Sequence, residues 1–241
     1  MGTESNHTCV FILLDLIGGN WWNWGLQFDI HGDASGLLAS HPVAPLVSIH
    51  HLDLIDPIFP DTQKKNYSRV TALKHFLEPV KIESGSILQQ SICYDSKRRW
   101  SFTVSWGYVI QVHKGFITPR ELEVPQKTFL SWHKETSKVE FPFNTRDNPE
   151  DVCKKPTRFF MHSVKGLASP SNSNSNDGLM ESVFLREWSP SKKECSGQLQ
   201  PLSLVQRIRV VKEMTSESWY QVRNICITNF QRVVLYNKVI C

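Results

Sequence analysis

The chain has 241 residues, 40% of them hydrophobic and 21% charged, with a formal net charge of +4; it is long enough to bury one substantial core and ordinary in composition for a globular protein. Its basic residues are interspersed with acidic ones, which argues against a nucleic-acid-binding stripe. The longest apolar run, 9–17, is interrupted by Asp15, falls short of the about 20 residues a membrane-crossing helix needs, and has no basic segment before it, so neither a transmembrane segment nor a signal peptide is expected.

Residues 1–26 carry a Trp-rich stretch, Asn20-Trp21-Trp22-Asn23-Trp24-Gly25, with no helical or strand period. Asp33 is placed to cap a short helix reaching Ala39, closed by His41-Pro42. Residues 46–51 read as a buried strand, and 56–61 as a turn-rich break. Ser68 opens a longer helix with Val70, Leu73, Phe76 and Leu77 on one face, and Pro79 is expected to stop it. Residues 87–94 read as a strand, and Asp95-Ser96-Lys97-Arg98-Arg99 as a polar hairpin loop.

The segment 100–112 has the clearest period in the chain. Trp100, Phe102, Val104, Trp106, Tyr108, Ile110 and Val112 alternate with Ser101, Thr103, Ser105, Gly107 and Gln111, which predicts one long half-buried antiparallel strand paired with 87–94. Thr118-Pro119-Arg120-Glu121 has the capping residues of a helix start, and Pro125 must break or kink any element that runs through it. Residues 158–164 read as a strand. The run 169–178 is a Ser/Asn repeat that predicts a mobile loop, and 182–188, 204–211 and 231–240 predict an all-β tail.

Six cysteines are spread through the chain with no Cys-x-x-Cys pair. That argues against a zinc knuckle and permits up to three disulfides. Asn-x-Ser/Thr triplets at Asn6 and Asn66 give weak support for a secretory route.

Three constellations could carry chemistry, and each has a plain structural reading beside it. In His50-His51-Leu52-Asp53 one imidazole could join a metal shell, or could be a hydrogen-bonded histidine at a strand end. In Asp29-Ile30-His31-Gly32-Asp33 two carboxylates and an imidazole flank a glycine turn, either as a catalytic corner or as a capping Asp in a polar loop. The aromatic alternation containing Trp106 is either a sugar-stacking platform or core.

These residues also carry a resemblance. His31-Gly32-Asp33 with Gly36-Leu37-Leu38-Ala39 and His41-Pro42-Val43-Ala44-Pro45-Leu46-Val47-Ser48 begins it. His50-His51-Leu52-Asp53, Pro57-Ile58-Phe59-Pro60, Ile87 through Asp95, Trp100 with Val104-Ser105-Trp106-Gly107-Tyr108, Phe141 through Arg146, and Cys153 with Pro156 continue it. Over 27–165, and more loosely beyond, the chain resembles the plant Fringe-like glycosyltransferases related to the family 31 β-1,3-transferases.

The resemblance implies a Golgi type II membrane enzyme with a nucleotide-sugar-binding α/β fold. Such an enzyme moves a hexose from a UDP-sugar to a glycan or glycoside acceptor with Mn2+. It implies His50 or His51 as a metal ligand; Asp29, His31, Asp33, Asp53 and Trp106 are the candidate substrate-binding residues, and no catalytic residue is assigned. The chain departs from the pattern in having no Asp-x-Asp and no Gly-Phe-His-Gln-like entry, which here reads Gly25-Leu26-Gln27-Phe28.

The resulting expectation is an α+β fold: a partial GT-A-like fold lacking its N-terminal nucleotide-binding half, with a β-rich extension. It is organised as an atypical segment 1–26, a Fringe-like region 27–165, a flexible loop 166–180 and a tail 181–241. The chain is expected to be a truncated, inactive member retained in the cytosol. The rival reading is a non-catalytic luminal carbohydrate- or partner-binding fragment.

Overall fold

The alternating segment 100–112 builds the centre of the protein, but as two strands, not one. In the computed structural model, which describes residues 26–28, 30–40, 46–49, 54–60, 68–83, 87–131, 144–167, 179–187, 202–213 and 232–234, β5 (Trp100–Ser105) and β6 (Val109–Lys114) are antiparallel partners joined by the turn Trp106-Gly107-Tyr108. Ser105 pairs with Val109. The three-residue loop therefore leaves the inward and outward phases unchanged, and the alternation runs through the turn without a break. Gly107 sits at φ +73°, the left-handed conformation such a hairpin requires. A Cβ there would also lie 2.6 Å from Ile87 Cδ1 and 3.0 Å from the Pro79 ring.

The preceding strand is β4 (Gln90–Asp95), antiparallel to β5 as expected, starting three residues later than predicted because residues 87–88 form a turn with Leu88 at φ +59°. Beyond β6 come β8 (Thr157–Leu167), β9 (Leu179–Arg186), β10 (Arg207–Glu213) and β11 (Arg232–Val234). Together they form a seven-stranded antiparallel sheet in the order β11-β10-β9-β8-β6-β5-β4. The strands of the predicted β tail extend this one sheet. The predicted Ser/Asn loop, 169–178, lies outside the described residues, as do residues 1–25 and 235–241.

Two small sheets stand beside the large one. β1 (Leu26–Phe28) pairs in parallel with β3 (Leu46–Ile49), and β2 (Ile30–Gly32) pairs antiparallel with β7 (Phe129–Ser131). The helices are α1 (Ser35–Leu38), α2 (Arg69–Ile82) and α3 (Pro119–Leu122). This is a mixed α/β architecture dominated by an antiparallel sheet, and no described helix is long and apolar enough to cross a membrane.

Two helix caps follow the sequence and one does not: α1 starts from Ala34, which makes no side-chain cap bond, so Asp33 sits one residue before the cap position and the helix ends at Leu38. Ser68 Oγ accepts the Thr71 amide and Thr118 accepts the Glu121 amide. Pro79 does not stop α2: it lies in the last turn, buried, and the helix ends at Ile82, where the Glu83 amide reaches the Pro79 carbonyl. Val70, expected on the buried face, is 61% exposed; Ala72, Phe76 and Pro79 make that face.

The expectation of a half-buried strand is also corrected. Every residue of β5 is buried. The register places Trp100, Phe102, Val104, Ile110 and Val112 on one face and Ser101, Thr103, Ser105, Gln111 and His113 on the other. The polar face is buried because a second layer lies on it and uses its hydrogen bonds. Ser105 Oγ donates to the Leu38 carbonyl (3.0 Å), and Gln90 Nε2 donates to the carbonyls of Ala39 and Leu122 (3.1 and 3.2 Å). A polar strand face thus satisfies the carbonyls at the end of α1, as burial demands.

α1 sits close against the loop before β7. A Cβ at Gly36 would lie 1.9 Å from the Gln126 carbonyl oxygen, so only glycine fits. Thr128 Oγ1 ties the contact by donating to the Asp33 carbonyl (2.6 Å) and accepting the Gly36 amide (2.9 Å). Phe59, from the Pro-Ile-Phe-Pro run, packs edge-on against Tyr108, His75 and Phe160.

Candidate functional site

The docking of α1 on the polar sheet face brings Asp33 to the strands that come more than a hundred residues later in the chain. Arg158, on β8, donates through Nη1 to Asp33 Oδ2 (2.6 Å) and to Ser35 Oγ (2.7 Å). Its Nε and Nη2 grip both oxygens of Glu187, just past β9, each at 2.7 Å. This is a bidentate guanidinium–carboxylate pair with a second carboxylate on the remaining edge. Asp33 Oδ1 accepts the Ser35 amide (2.8 Å), so every carboxylate oxygen of the cluster has a donor. The guanidinium also lies 5.6 Å from the centroid of the Phe160 ring.

The cluster reaches solvent: the side chains of Asp33, Arg158 and Glu187 keep 34%, 24% and 24% of their exposure. Burial by itself would lower the Arg158 pKa. Hydrogen bonds to Glu187 and the charges of Asp33 and Glu187 outweigh it and raise the value, which fixes the guanidinium as a cation. Two carboxylates against one guanidinium leave one net negative charge. Beneath them the Tyr108 hydroxyl is buried without a hydrogen-bond partner; burial and then the Asp33 charge push its pKa well up, keeping it a neutral phenol.

A second ion pair is of a different kind. Lys212 on β10 meets Glu83, just past α2, with both side chains 3% exposed. The ammonium lies 5.1 Å from the Trp106 ring centroid. Burial lowers the Lys212 pKa, and Glu83 opposes that shift.

Of the residues picked from sequence, Asp33 is in the open cluster and His31, half-buried, is the middle residue of the strand leading to it. Trp106 is elsewhere: it is fully buried under Lys212, its Nε1 unpartnered, and presents no ring face at the surface. Trp100, Phe102 and Tyr108 are buried too, so the aromatic alternation is core. Asp29, His50, His51 and Asp53 lie outside the described residues. Among the described residues no group of three or more His, Cys, Asp or Glu side chains comes together to hold a metal ion.

Sequence reasoning missed Arg158 and Glu187. Arg158 reads locally as a strand start and Glu187 as a strand end; only the charged type at each position signals anything. Cys93 and Cys153 are both disulfide-bonded.

The fold and cluster define a mixed α/β protein with a large antiparallel sheet and a solvent-facing group in which one guanidinium holds two carboxylates. The chain belongs to the family described as "Protein of unknown function, DUF604", whose model matches residues 23–227. No curated protein and no solved structure matches it.

Proposed function

We propose that this protein recognises a sugar through the Asp33–Arg158–Glu187 cluster, as the acceptor-side part of a UDP-hexose-dependent transferase of the Fringe-like type. One observation carries the reading. A segment that carries the resemblance, His31-Gly32-Asp33 with Gly36 through Ala39, is the segment that presents Asp33 to solvent beside Arg158 and Glu187. Planar charged groups fixed edge to edge suit vicinal hydroxyls: carboxylate oxygens accept from one and the guanidinium donates to another. Asp33, Glu187 and His31 are the contacts assigned.

The occupied carboxylate oxygens favour recognition over proton abstraction, and these 241 residues contain no Asp-x-Asp to hold a metal against a diphosphate. The reading is therefore binding of a glycan or glycoside without turnover by this chain alone. The manganese of such transferases would need ligands beyond His50 and His51. The Golgi lumen is proposed as the compartment in place of the cytosolic retention expected above, supported by disulfide bonding of Cys93 and Cys153, which persists in oxidising surroundings, and by the sequons at Asn6 and Asn66.

Calorimetric titration with a neutral hexose oligosaccharide, and separately with a UDP-hexose plus manganese, tests the proposal. Saccharide binding that falls at least tenfold in Asp33→Asn and Glu187→Gln is expected. No saccharide binding, or binding indifferent to both changes, overturns it. A glycosidase-sensitive mobility shift of the expressed chain reports the compartment.

A further inference from the structure

At the far end of the β4–β5 hairpin, away from Asp33, an aromatic and basic surface is exposed. Phe116 is 54% and Tyr94 37% exposed, their rings in edge contact with centroids 6.1 Å apart. The Arg99 guanidinium lies 6.0 Å from the Phe116 ring centroid. Two exposed aromatic rings in contact make a contiguous apolar patch, which is informative where single exposed residues are not, and these are held rigidly.

Tyr94 Oη donates to the Ile117 carbonyl (2.8 Å). Ser101 Oγ donates to the Gly115 carbonyl (2.8 Å) and accepts the Ile117 amide (2.9 Å). The Gly115 amide donates to the Arg99 carbonyl (2.7 Å). The loop bearing Phe116 and the turn bearing Arg99 are thereby locked together, so little ordering remains to be done on binding.

The charge on this surface is one-sided. Asp95, the carboxylate of the turn, is taken by Arg98 at 2.7 Å, and Arg98 lies over the buried Trp100. Arg99 has no carboxylate partner among the described residues. Exposed Lys97 on the same turn and Arg120 after the loop add to it, and Glu121 offsets part.

We infer that Tyr94, Phe116 and Arg99 form a binding surface for an acidic saccharide, a uronate-containing glycan. The rings would take the C–H face of a pyranose, and the planar Arg99 fork would take its carboxylate in bidentate fashion. The stacking surface selects a ring over a simple anion, and a cation with no carboxylate partner among the described residues selects an acidic sugar over a neutral one.

The test uses the full chain with three probes: a galacturonate hexamer, a neutral hexose hexamer, and vesicles of mixed anionic and zwitterionic phospholipid. Binding of the uronate hexamer is expected to exceed that of the neutral one at least tenfold at this surface, to weaken with salt, and to fall at least tenfold in Arg99→Ala and in Phe116→Ala. Leu204→Ser, at another exposed apolar position, should leave it unchanged, and unaltered circular dichroism and urea midpoints establish that the variants fold. Asp33→Asn should also leave uronate binding intact, which separates this inference from the reading of the Asp33 cluster. Equal binding of the two hexamers, insensitivity to Arg99→Ala, or binding to vesicles without binding to uronate would overturn it.

Discussion

Among the ion pairs of the described residues, two groups fasten elements to the large sheet in opposite settings, one sealed and one open to water. Glu83 and Lys212 sit with both side chains 3% exposed against Trp106; Asp33, Arg158 and Glu187 sit at the rim with a quarter to a third of each side chain open. A sealed pair has only a structural use, since nothing can approach it. It is also costly to disturb, because removing one charge strands the other in a low-dielectric interior. An open cluster contributes less to stability, as solvent screens it, and can exchange hydrogen bonds with a ligand. Energetic weight and functional capacity therefore run in opposite directions across the two groups.

The largest effect expected is on the sealed side. Glu83→Ala should lower unfolding stability by about 3–5 kcal/mol, read from urea denaturation, and Lys212→Met combined with Glu83→Gln should recover much of the loss. If Glu83→Ala costs no more than Asp33→Asn, the contrast between the groups fails.

Gly36→Ala comes next. Its Cβ would meet the Gln126 carbonyl at 1.9 Å, and such crowding of packed backbone costs about 1–3 kcal/mol. The same change should loosen α1 from the polar face and weaken saccharide binding along with stability. Amide hydrogen exchange at Leu37 and Leu38 measures the loosening.

His113 offers a pH test of the buried polar face. Burial, helped by the nearby Arg146 charge, lowers its pKa to about 3 from 6.5, and its Nε2 is buried without a partner. The fold thus prefers the neutral ring. This contribution is present in full above pH 6.5 and is lost as pH falls toward 3, about 2–3 kcal/mol by pH 4.5. Subtracting the stability–pH curve of His113→Gln from that of the parent should isolate this slope. A difference that stays flat between pH 6.5 and 4.5 would contradict the burial account.

The sequence made part of this legible. The period of 100–112 identified the apolar face, and the polar loop at 95–99 identified β4 as the partner of β5. What it concealed has physical reasons. A three-residue turn preserves strand phase, so Trp106-Gly107-Tyr108 left no fault in the pattern, and the lone Gly107 was its only mark. The serines and threonines of the other face looked solvent-facing because a local period cannot report that Leu38 and Ala39 need hydrogen-bond donors there. Asp33 was visible as a polar corner at a glycine turn. Arg158 was invisible as its partner, since 125 positions separate them and no spacing rule spans a pairing made by sheet topology.

The smallest stability effect and the sharpest functional one should coincide in Asp33→Asn. At most about 1 kcal/mol should be lost, as for other partly exposed ion pairs. The decisive measurement is a paired one on this variant: the neutral-oligosaccharide dissociation constant by calorimetry and the unfolding midpoint in the same buffer. Affinity reduced at least tenfold with the midpoint nearly unchanged is the predicted result. Unchanged affinity, or a loss of affinity that tracks unfolding, would contradict the assignment of the open cluster to sugar recognition.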